Sequence, residues 1–272
     1  MKELAGRKLI LILGIPFGIG CYLIGNPIFA VVTTIVMLGG LDEFYSICEK
    51  KGGHPNRIFG FIITLLIAVS YSGIYAHHQI TIMGIICLSV ISVFFIEIIN
   101  KKEEPLLNIS TTFLGILFVP CLLGTIIYLR QMDHIYNSNV VLALFLSVWF
   151  ADIAAFFFGT KWGKKKIVPM ISPKKSWVGS ISGFLASLLV FILFHELGFL
   201  GIRYSLLDSV TFGVISGIFS QLGDFSESLL KRDVGVKDSG NLLRGHGGIL
   251  DRFDSLLFSS SMIYIHFLIF ID

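Results

Sequence analysis

The sequence predicts an all-α integral membrane protein, a polytopic helical bundle of about nine transmembrane helices. Hydrophobic residues make up 54% of the 272 residues and charged residues only 14%, and the mean hydropathy is +0.84. A soluble domain of this length needs far more polar surface to cover its core. Apolar runs of about 15 to 23 residues also recur along the chain, and such runs can cross a bilayer as helices.

The candidate spans are apolar runs with little polar sequence between them. They cover approximately residues 9–24, 27–41, 58–75, 80–99, 109–129, 140–159, 178–200, 205–223 and 256–271. The first two runs are short and are separated only by Gly25 and Asn26, so they form either a tight pair of spans or a re-entrant hairpin.

Lysine and arginine are concentrated in alternate loops. Of the 21 basic residues, all except Arg130 and Arg203 fall on one side when the runs are placed as spans. Because cytoplasmic loops carry the excess of these residues, the N-terminus is predicted to be cytoplasmic and the C-terminus to lie outside. The chain then has an N-terminal transmembrane region, residues 1–139, and a C-terminal one, residues 140–272, with cytoplasmic segments 160–177 and 224–255.

Composition excludes several classes of protein. The net charge of +3 is small, so no nucleic-acid partner is expected, and the bilayer is the expected surroundings. The four cysteines lie far apart without a CxxC spacing, which excludes a disulfide scaffold, a zinc site and a redox pair of that kind.

The first cytoplasmic segment is rich in lysine and contains Ser-Pro-Lys-Lys-Ser at residues 172–176. Lysines beside a membrane attract anionic head groups at about 1 kcal/mol each, which accounts for most of their number. Lys174 and Lys175 beside the Ser176 hydroxyl also suit a polyphosphate, because Pro173 restricts the turn that presents them.

Asp152 lies inside an apolar run, about two turns before its cytoplasmic end. A carboxylate at mid-depth costs about 2.5–3.5 kcal/mol on insertion scales, so we expect it to face the bundle interior or a watery cavity. A structural carboxylate bonded to a neighbouring helix is the alternative. Glu97 poses the same question and is interpreted as structural.

The second cytoplasmic segment combines carboxylates, bases and glycines with one histidine. If the preceding span continues as a helix, it presents four polar residues on one face, and two carboxylates share a face of the next helix. These residues are Asp224, Glu227, Ser228 and Lys231, followed by Asp251 and Asp254. The glycines around His246 allow backbone N–H groups to approach a ligand closely.

Carboxylates brought together repel one another unless a cation joins them. Mg²⁺ carrying substrate phosphates meets that need, because it prefers oxygen ligands. A solvated loop whose ion pairs cap a helix is the alternative. Metal, phosphate-binding bases and a glycine-rich turn at a membrane face together fit phosphoryl or nucleotidyl transfer to a lipid. No Walker or kinase glycine motif and no nucleophile elbow occurs.

Three blocks of this segment, residues 228–232, 237–240 and 246–254, resemble the signature of phosphatidate cytidylyltransferases, also called CDP-diacylglycerol synthases. The run at 151–152 and residues 171–175 are similar to a second family block, so the resemblance covers roughly residues 150–256. Two positions depart from the pattern: Arg244 replaces the usual proline before Gly-His-Gly-Gly, and Val178 replaces a common glutamate.

The resemblance implies that CTP and phosphatidate react to CDP-diacylglycerol and pyrophosphate, by direct Mg²⁺-assisted attack of the lipid phosphate on the α-phosphorus. The C-terminal region is then catalytic. The expected location is a bacterial inner membrane, with the active site at its cytoplasmic face.

Family analogy also implies roles for individual residues. Asp224 and Asp251 are the expected metal ligands, with Asp254 as a third, and Asp152 is expected to order either a second cation or a lysine from within the cavity. His246 either donates to a phosphate oxygen or braces the turn. The remaining expected substrate-binding residues are Lys174, Lys175, Ser176, Lys231, Arg232, Lys237, Ser239, Gly247, Gly248 and Arg252, of which Lys237 is also assigned to catalysis.

Two other functions remain open at this stage. An ion-coupled transporter is one, because intramembrane carboxylates also mark ion pathways, although polar residues here gather on one face. A CTP-dependent polyprenol or phytol kinase is the other. Small residues on one span would also permit close helix contact, within the chain or in a homodimer; these are Gly179, Ser182, Gly183 and Ser187.

Overall fold

The structure is a computed structural model that describes residues 18–73, 78–100, 103–240 and 247–271. Within these ranges the chain forms helices joined by loops and contains no β-strand. A single isolated bridge pairs Lys166 with Ser176 there. The prediction of an all-α fold is confirmed.

Residues 18–24 are helical, and the helices after Gly25 are numbered from α1. They are α1 (Asn26–Glu49), α2 (Arg57–Tyr71), α3 (His78–Asn100), α4 (Pro105–Ile116), α5 (Thr125–Tyr136), α6 (Val140–Trp162), α7 (Trp177–Glu196), α8 (Leu206–Asp233) and α9 (Leu250–Phe270). A π-helix, Leu117–Cys121, joins α4 to α5.

Over the described ranges, seven helical stretches are long and apolar enough to cross a membrane. They are α1, the part Thr81–Asn100 of α3, the stretch Pro105–Tyr136, and α6 to α9, whereas α2 is a shorter apolar helix. The chain is therefore a polytopic integral membrane protein. The predicted span 9–24 lies mostly outside the described residues, so the count of nine and the cytoplasmic N-terminus stay predictions.

The π-helix marks the position of Pro120 within the predicted span 109–129. Proline lacks an N–H and crowds the preceding turn, so the regular α-helical hydrogen bonds cannot continue through it. The Tyr71 hydroxyl instead donates to the Cys121 carbonyl at 3.1 Å, and Gly124 N donates to Pro120 O at 3.0 Å. The Tyr71 hydroxyl thus contacts the chain at the irregular turn, and the bond from Gly124 N to Pro120 O has the i to i−4 spacing of an α-helix.

The chain divides into two compact units. Unit 1 comprises residues 1–128 and 233–252, and unit 2 comprises residues 129–232 and 253–272. Each unit is described by itself below. The predicted regions 1–139 and 140–272 stay a prediction.

In unit 1, α1 packs against α2 and α4 around a buried tyrosine. The Tyr45 hydroxyl donates to Thr112 O at 3.0 Å, and a Cβ added to Gly60 or Gly115 would collide with the Tyr45 ring. Glycine at these positions therefore allows close helix contact.

Glu97 has structural partners in unit 1, in agreement with its interpretation from sequence. The side chain is 8% exposed and accepts a hydrogen bond from Asn108 Nδ2 at 2.6 Å. Asn108 Oδ1 in turn accepts from His54 N at 2.7 Å. Because the buried carboxylate is hydrogen-bonded, its burial costs less.

In unit 2, successive helices from α6 to α9 run antiparallel and touch through small residues. A Cβ on Gly179 would lie 2.7 Å from Ala155 O, and one on Gly183 would lie 3.0 Å from Ala151 O. Ser187 Oγ donates to Gly213 O of α8 at 3.3 Å. The small residues of α7 thus make close contacts within the chain.

Replacing Gly183 with valine is expected to lower the midpoint of thermal unfolding in detergent. The added methyl groups would push α7 away from the Ala151 carbonyl, and overpacking of this kind costs about 1–3 kcal/mol. Ser182→Val is the matched control, because the Ser182 hydroxyl donates to Val178 O of its own helix. Equal unfolding midpoints for the two variants would contradict this account of the α6–α7 contact.

Candidate active site

The loop between α6 and α7 holds its lysines close to the start of α7. Ile167 N donates to Lys175 O at 3.3 Å and Trp177 N donates to Lys165 O at 3.1 Å. Ser176 is the N-cap residue of α7, and its Oγ accepts from Gly179 N at 3.3 Å. The bonds from Trp177 N and Gly179 N satisfy N–H groups at the start of α7. The bond from Ile167 N holds the backbone at Lys175 beside the helix.

A cavity of about 500 Å³ lies in unit 2, beside this loop. Its volume is within the range of ligand pockets, roughly 300–1,000 Å³. The polar side chains on its wall belong to Asp152, Thr160, Lys166, Lys174, Lys175, Ser176, Ser180, Ser220, Gln221, Asp224 and Ser255. Apolar residues such as Phe156 and Ile167 complete the lining. The cavity thus combines cations, hydroxyl groups and carboxylates with an apolar wall.

Asp224 is the central carboxylate of this cavity. Its Oδ2 forms an ion pair with Lys175 Nζ, and both side chains are 30% exposed. Ser228 Oγ donates to Asp224 Oδ1 at 3.3 Å. Lys175 Nζ also lies 4.4 Å from the centre of the Phe225 ring, a cation–π contact. A lysine ammonium has three donors, so Lys175 can contact a phosphate while it keeps Asp224 as a partner.

Two further carboxylates of unit 2 are close enough to Asp224 for their charges to interact. Asp152 on α6 lines the cavity, and Asp254 on α9 is buried, with 9% of its surface exposed. Lys175 acts electrostatically on both of them. Three helices therefore bring three acids within electrostatic reach of Lys175, and a further cation between these acids would lower their mutual repulsion.

Lys231 and Arg232 lie outside the lining of the cavity. Lys231 Nζ donates to Glu227 Oε2 at 2.9 Å, and the two side chains are 9% and 0% exposed. Arg232 Nε donates to Ile171 O at 3.3 Å. The structure places Lys231 in a buried ion pair and Arg232 against the loop, so a phosphate-binding role for either stays a prediction.

In unit 1, Asp251 organises the turn that begins α9. Its Oδ2 accepts from Gly248 N at 2.7 Å and from Ser239 N at 2.9 Å. Ser239 Oγ is also 3.0 Å from this oxygen. Gly247 adopts a φ of 75°, which glycine tolerates better than other residues. The carboxylate thus links Ser239 to Gly248, two residues of the glycine-rich segment 239–250.

A second carboxylate at this turn was missed by reasoning from sequence. Glu43 of α1 is 4% exposed, and its Oε2 lies 2.8 Å from Ser239 Oγ. Its two oxygens accept from Ile249 N and Leu250 N, each at 2.9 Å. Glu43 comes after Asp42 at the end of the second apolar run, so its sequence context resembles that of a surface residue at the end of a span.

The remaining predicted residues are placed as follows. Lys237 and Arg252 are exposed, whereas Ser239 and Gly248 are buried. His246 and Arg244 lie outside the described residues. Val178, in the first turn of α7, is 37% exposed.

The predicted pair of metal ligands is divided between the units, because Asp224 belongs to unit 2 and Asp251 to unit 1. Their convergence on one ion stays a prediction. Within the described ranges, no group of three histidine, cysteine or acidic side chains could hold a metal ion by itself.

The donor set of the cavity nevertheless fits Mg²⁺ that arrives with a phosphate ligand. Mg²⁺ is usually bound by one or two carboxylates, with phosphate oxygens and water completing its six ligands. Asp224 and Asp152 supply carboxylate oxygens on the wall of the cavity, and lysines for the phosphates lie beside them. The chain therefore offers a partial site that a substrate would complete.

Comparison with known proteins gives consistent matches along the chain. Residues 6–270 match the Cytidylyltransferase family. A phosphatidate cytidylyltransferase of Synechocystis sp. is 30% identical over 278 residues, which cover 93% of this chain and 92% of that protein. Another, from Staphylococcus haemolyticus, is 31% identical over 260 residues, covering 95% and 97%. A third, from Staphylococcus aureus, is 30% identical over 242 residues, covering 89% and 90%.

Proposed function

Because this chain belongs to the cytidylyltransferase family, we propose that it converts CTP and phosphatidate into CDP-diacylglycerol and pyrophosphate, a step of phospholipid biosynthesis. The observation that carries the proposal is the cavity of unit 2, where the Asp224–Lys175 pair lies among lysines, hydroxyl groups and apolar side chains. Apolar side chains of the cavity wall suit the lipid, and its lysines suit the phosphates of the lipid and of the nucleotide.

The proposed reaction is a direct displacement. A phosphate oxygen of phosphatidate forms a bond to the α-phosphorus of CTP, the bond from that phosphorus to the bridging oxygen of the β-phosphate breaks, and pyrophosphate leaves with the bonding electrons. No covalent intermediate with the protein is needed. Catalysis then depends on positioning and charge neutralisation, which supply most of the acceleration in phosphoryl transfer.

The cavity residues have separate tasks in this proposal. Lys174 and Lys175 neutralise the phosphates, and the pair with Asp224 keeps the Lys175 ammonium at the wall. Ser176 is a hydroxyl donor to a phosphate oxygen, since its Oγ acts as the acceptor in its bond with Gly179 N. The other proposed substrate-binding residues are Lys237, Ser239, His246, Gly247, Gly248 and Arg252.

Mg²⁺ is the proposed cofactor, and Asp224 and Asp251 are its proposed ligands, with Asp254 as a third. Asp152 is proposed to order a second cation. When bound, Mg²⁺ neutralises charge on the triphosphate and on the departing pyrophosphate. Without it, Asp224, Asp152 and Asp254 would repel the phosphates, so the lysines alone would bind CTP weakly.

We further propose that the active site faces the cytoplasm at a bacterial inner membrane, and that the enzyme forms a homodimer. The distribution of lysine and arginine supports this orientation. Arg203 belongs to the side with few lysines and arginines. It donates to Ile271 O, at the end of α9 that lies opposite the cavity. Light scattering of the detergent complex tests the dimer.

The reaction is tested with two labelled forms of CTP. Purified protein in detergent is incubated with phosphatidate, Mg²⁺ and CTP labelled at the α- or the γ-phosphate. We expect the α-label in the lipid fraction and the γ-label in pyrophosphate, and a chelator should abolish both products. A CTP-dependent kinase would instead transfer the γ-label to lipid, and that result would contradict the proposal. So would the absence of lipid label with every divalent metal supplied.

A further inference from the structure

Glu43 joins both ends of the glycine-rich segment in unit 1, although it lies on α1. Ser239 lies 196 residues after Glu43 in the chain, and Ile249 and Leu250 follow ten and eleven residues after Ser239. The Glu43 carboxylate is bonded to all three residues, at 2.8 Å to Ser239 Oγ and at 2.9 Å to the backbone nitrogens of Ile249 and Leu250. One buried side chain therefore sets the separation of the two ends.

Glycines of the segment make room for this carboxylate. A Cβ added to Gly240 or to Gly248 would overlap the Glu43 carboxylate group. On the α1 side, a Cβ on Gly40 would lie 3.7 Å from Leu250 Cδ1. Glycines on α1 and on the segment therefore allow the two to pack closely. This close packing of backbone holds Glu43 in place.

Hydrogen bonds from Ser239 Oγ, Ile249 N and Leu250 N surround the buried Glu43 carboxylate. Burying an ionised group is costly unless hydrogen bonds compensate for the lost water. Here the N–H groups of Ile249 and Leu250 belong to the start of α9, where helices have unpaired donors and a positive end. Glu43 thus acts as a cap from another helix, and its negative charge strengthens these bonds.

Ser239 connects Glu43 to Asp251. Its Oγ lies 2.8 Å from Glu43 Oε2 and 3.0 Å from Asp251 Oδ2. A hydroxyl has one proton, so Ser239 donates that proton to one carboxylate at a time. Any shift of Glu43 therefore changes the bonding of Asp251 and of the turn at Gly248.

We propose that Glu43 is a positioning residue for nucleotidyl transfer. Acting through Ser239 and the start of α9, it holds the Asp251 carboxylate and the turn at Gly247 and Gly248 in the arrangement that the reaction needs. The inference rests on the proposed function, and it adds a residue of the N-terminal part of the chain to the catalytic apparatus. Glu43 itself need not contact CTP or the lipid.

Glu43→Gln tests the proposal with little change in volume. The amide NH₂ must replace one acceptor oxygen, so it would face an N–H or the Ser239 hydroxyl. We expect kcat to fall on the order of 100-fold, as for small misplacements of reacting groups, with the KM for CTP little changed. Glu43→Asp keeps the charge but shortens the side chain by one methylene, and we expect an intermediate kcat.

Glu97→Gln is the matched control, because Glu97 is also a buried glutamate of unit 1 but is bonded to Asn108. It should lower thermal stability at most and leave kcat unchanged. A double mutant tests the route of the effect: in a Ser239→Ala background, Glu43→Gln should reduce kcat less than in the wild-type background, because the link is already removed.

The outcomes separate this inference from the proposed function. A wild-type protein that forms no α-labelled lipid would refute the function itself. If the wild type is active and folded Glu43→Gln has the same kcat, with only a lower unfolding midpoint, Glu43 is merely structural and the inference is wrong. Should Glu43→Gln fail to fold, Glu43→Asp decides: a reduced kcat supports the inference, and a wild-type kcat overturns it.

Discussion

Asp224→Asn is expected to reduce the formation of CDP-diacylglycerol by about 10²–10³-fold, the range seen when a group that stabilises transition-state charge is removed. Asn has nearly the same shape, but it cannot pair with Lys175 as an anion or serve as an anionic ligand for Mg²⁺. The measurement is α-label incorporation into lipid by purified protein, with kcat and KM determined separately. We expect the loss mainly in kcat.

Asp208→Asn is the control on the same helix. Asp208 lies in the first turn of α8 and accepts from Ser205 N at 2.9 Å and from Ser205 Oγ at 2.6 Å. Its other oxygen is 3.3 Å from His266 Nε2. Because it lies at the other end of α8 from Asp224, its replacement should affect stability and leave turnover near the wild-type value. Near-normal turnover of Asp224→Asn would reject the role of Asp224.

Asp251→Asn is expected to have an effect of similar size, about 10²–10³-fold, without loss of the fold. The amide oxygen can still accept from Gly248 N and from Ser239 N, which hold the turn. What the substitution removes is the negative charge. Asp251→Ala removes both the charge and these acceptors, so we expect it to be inactive and also less stable in thermal unfolding.

The comparison of the two Asp251 variants separates two roles of the carboxylate. Normal activity of the Asn variant beside an inactive Ala variant would mean that Asp251 only organises the turn, and its assignment as a metal ligand would be wrong. Inactivity of both, with a stable Asn variant, would support the charge as the essential property. Activity measured over a range of Mg²⁺ concentrations extends the test, because loss of a ligand should raise the concentration needed.

Several features of the C-terminal half were predictable from local sequence. Asp152 lines a cavity, as expected for a carboxylate inside an apolar run. The helix predicted to continue past the span 205–223 does so, to Asp233, and α9 begins at Leu250, so Asp251 and Asp254 share one helix. These predictions succeeded because helical periodicity and the cost of burying charge act over a few neighbouring residues.

Other features depended on contacts between distant parts of the chain. Lys231 carries a charge that suits phosphate, yet it lies in a buried pair with Glu227, because the packing of α8 decides which face is covered. Pro120 disrupts a span that hydropathy alone describes as continuous. Tyr71, which donates to the Cys121 carbonyl at this irregular turn, lies on another helix.

The amino-acid sequence by itself determined that the chain is a helical membrane protein with acids, lysines and glycines gathered in its C-terminal half. It determined this because hydropathy, helical spacing and the order of a motif are properties of nearby residues. Only the tertiary structure decided that Glu43 meets Ser239, Ile249 and Leu250. Nothing in the local sequence of Glu43 identifies its partners. Only the packing of helices brings Glu43 into contact with residues about 200 positions later in the chain.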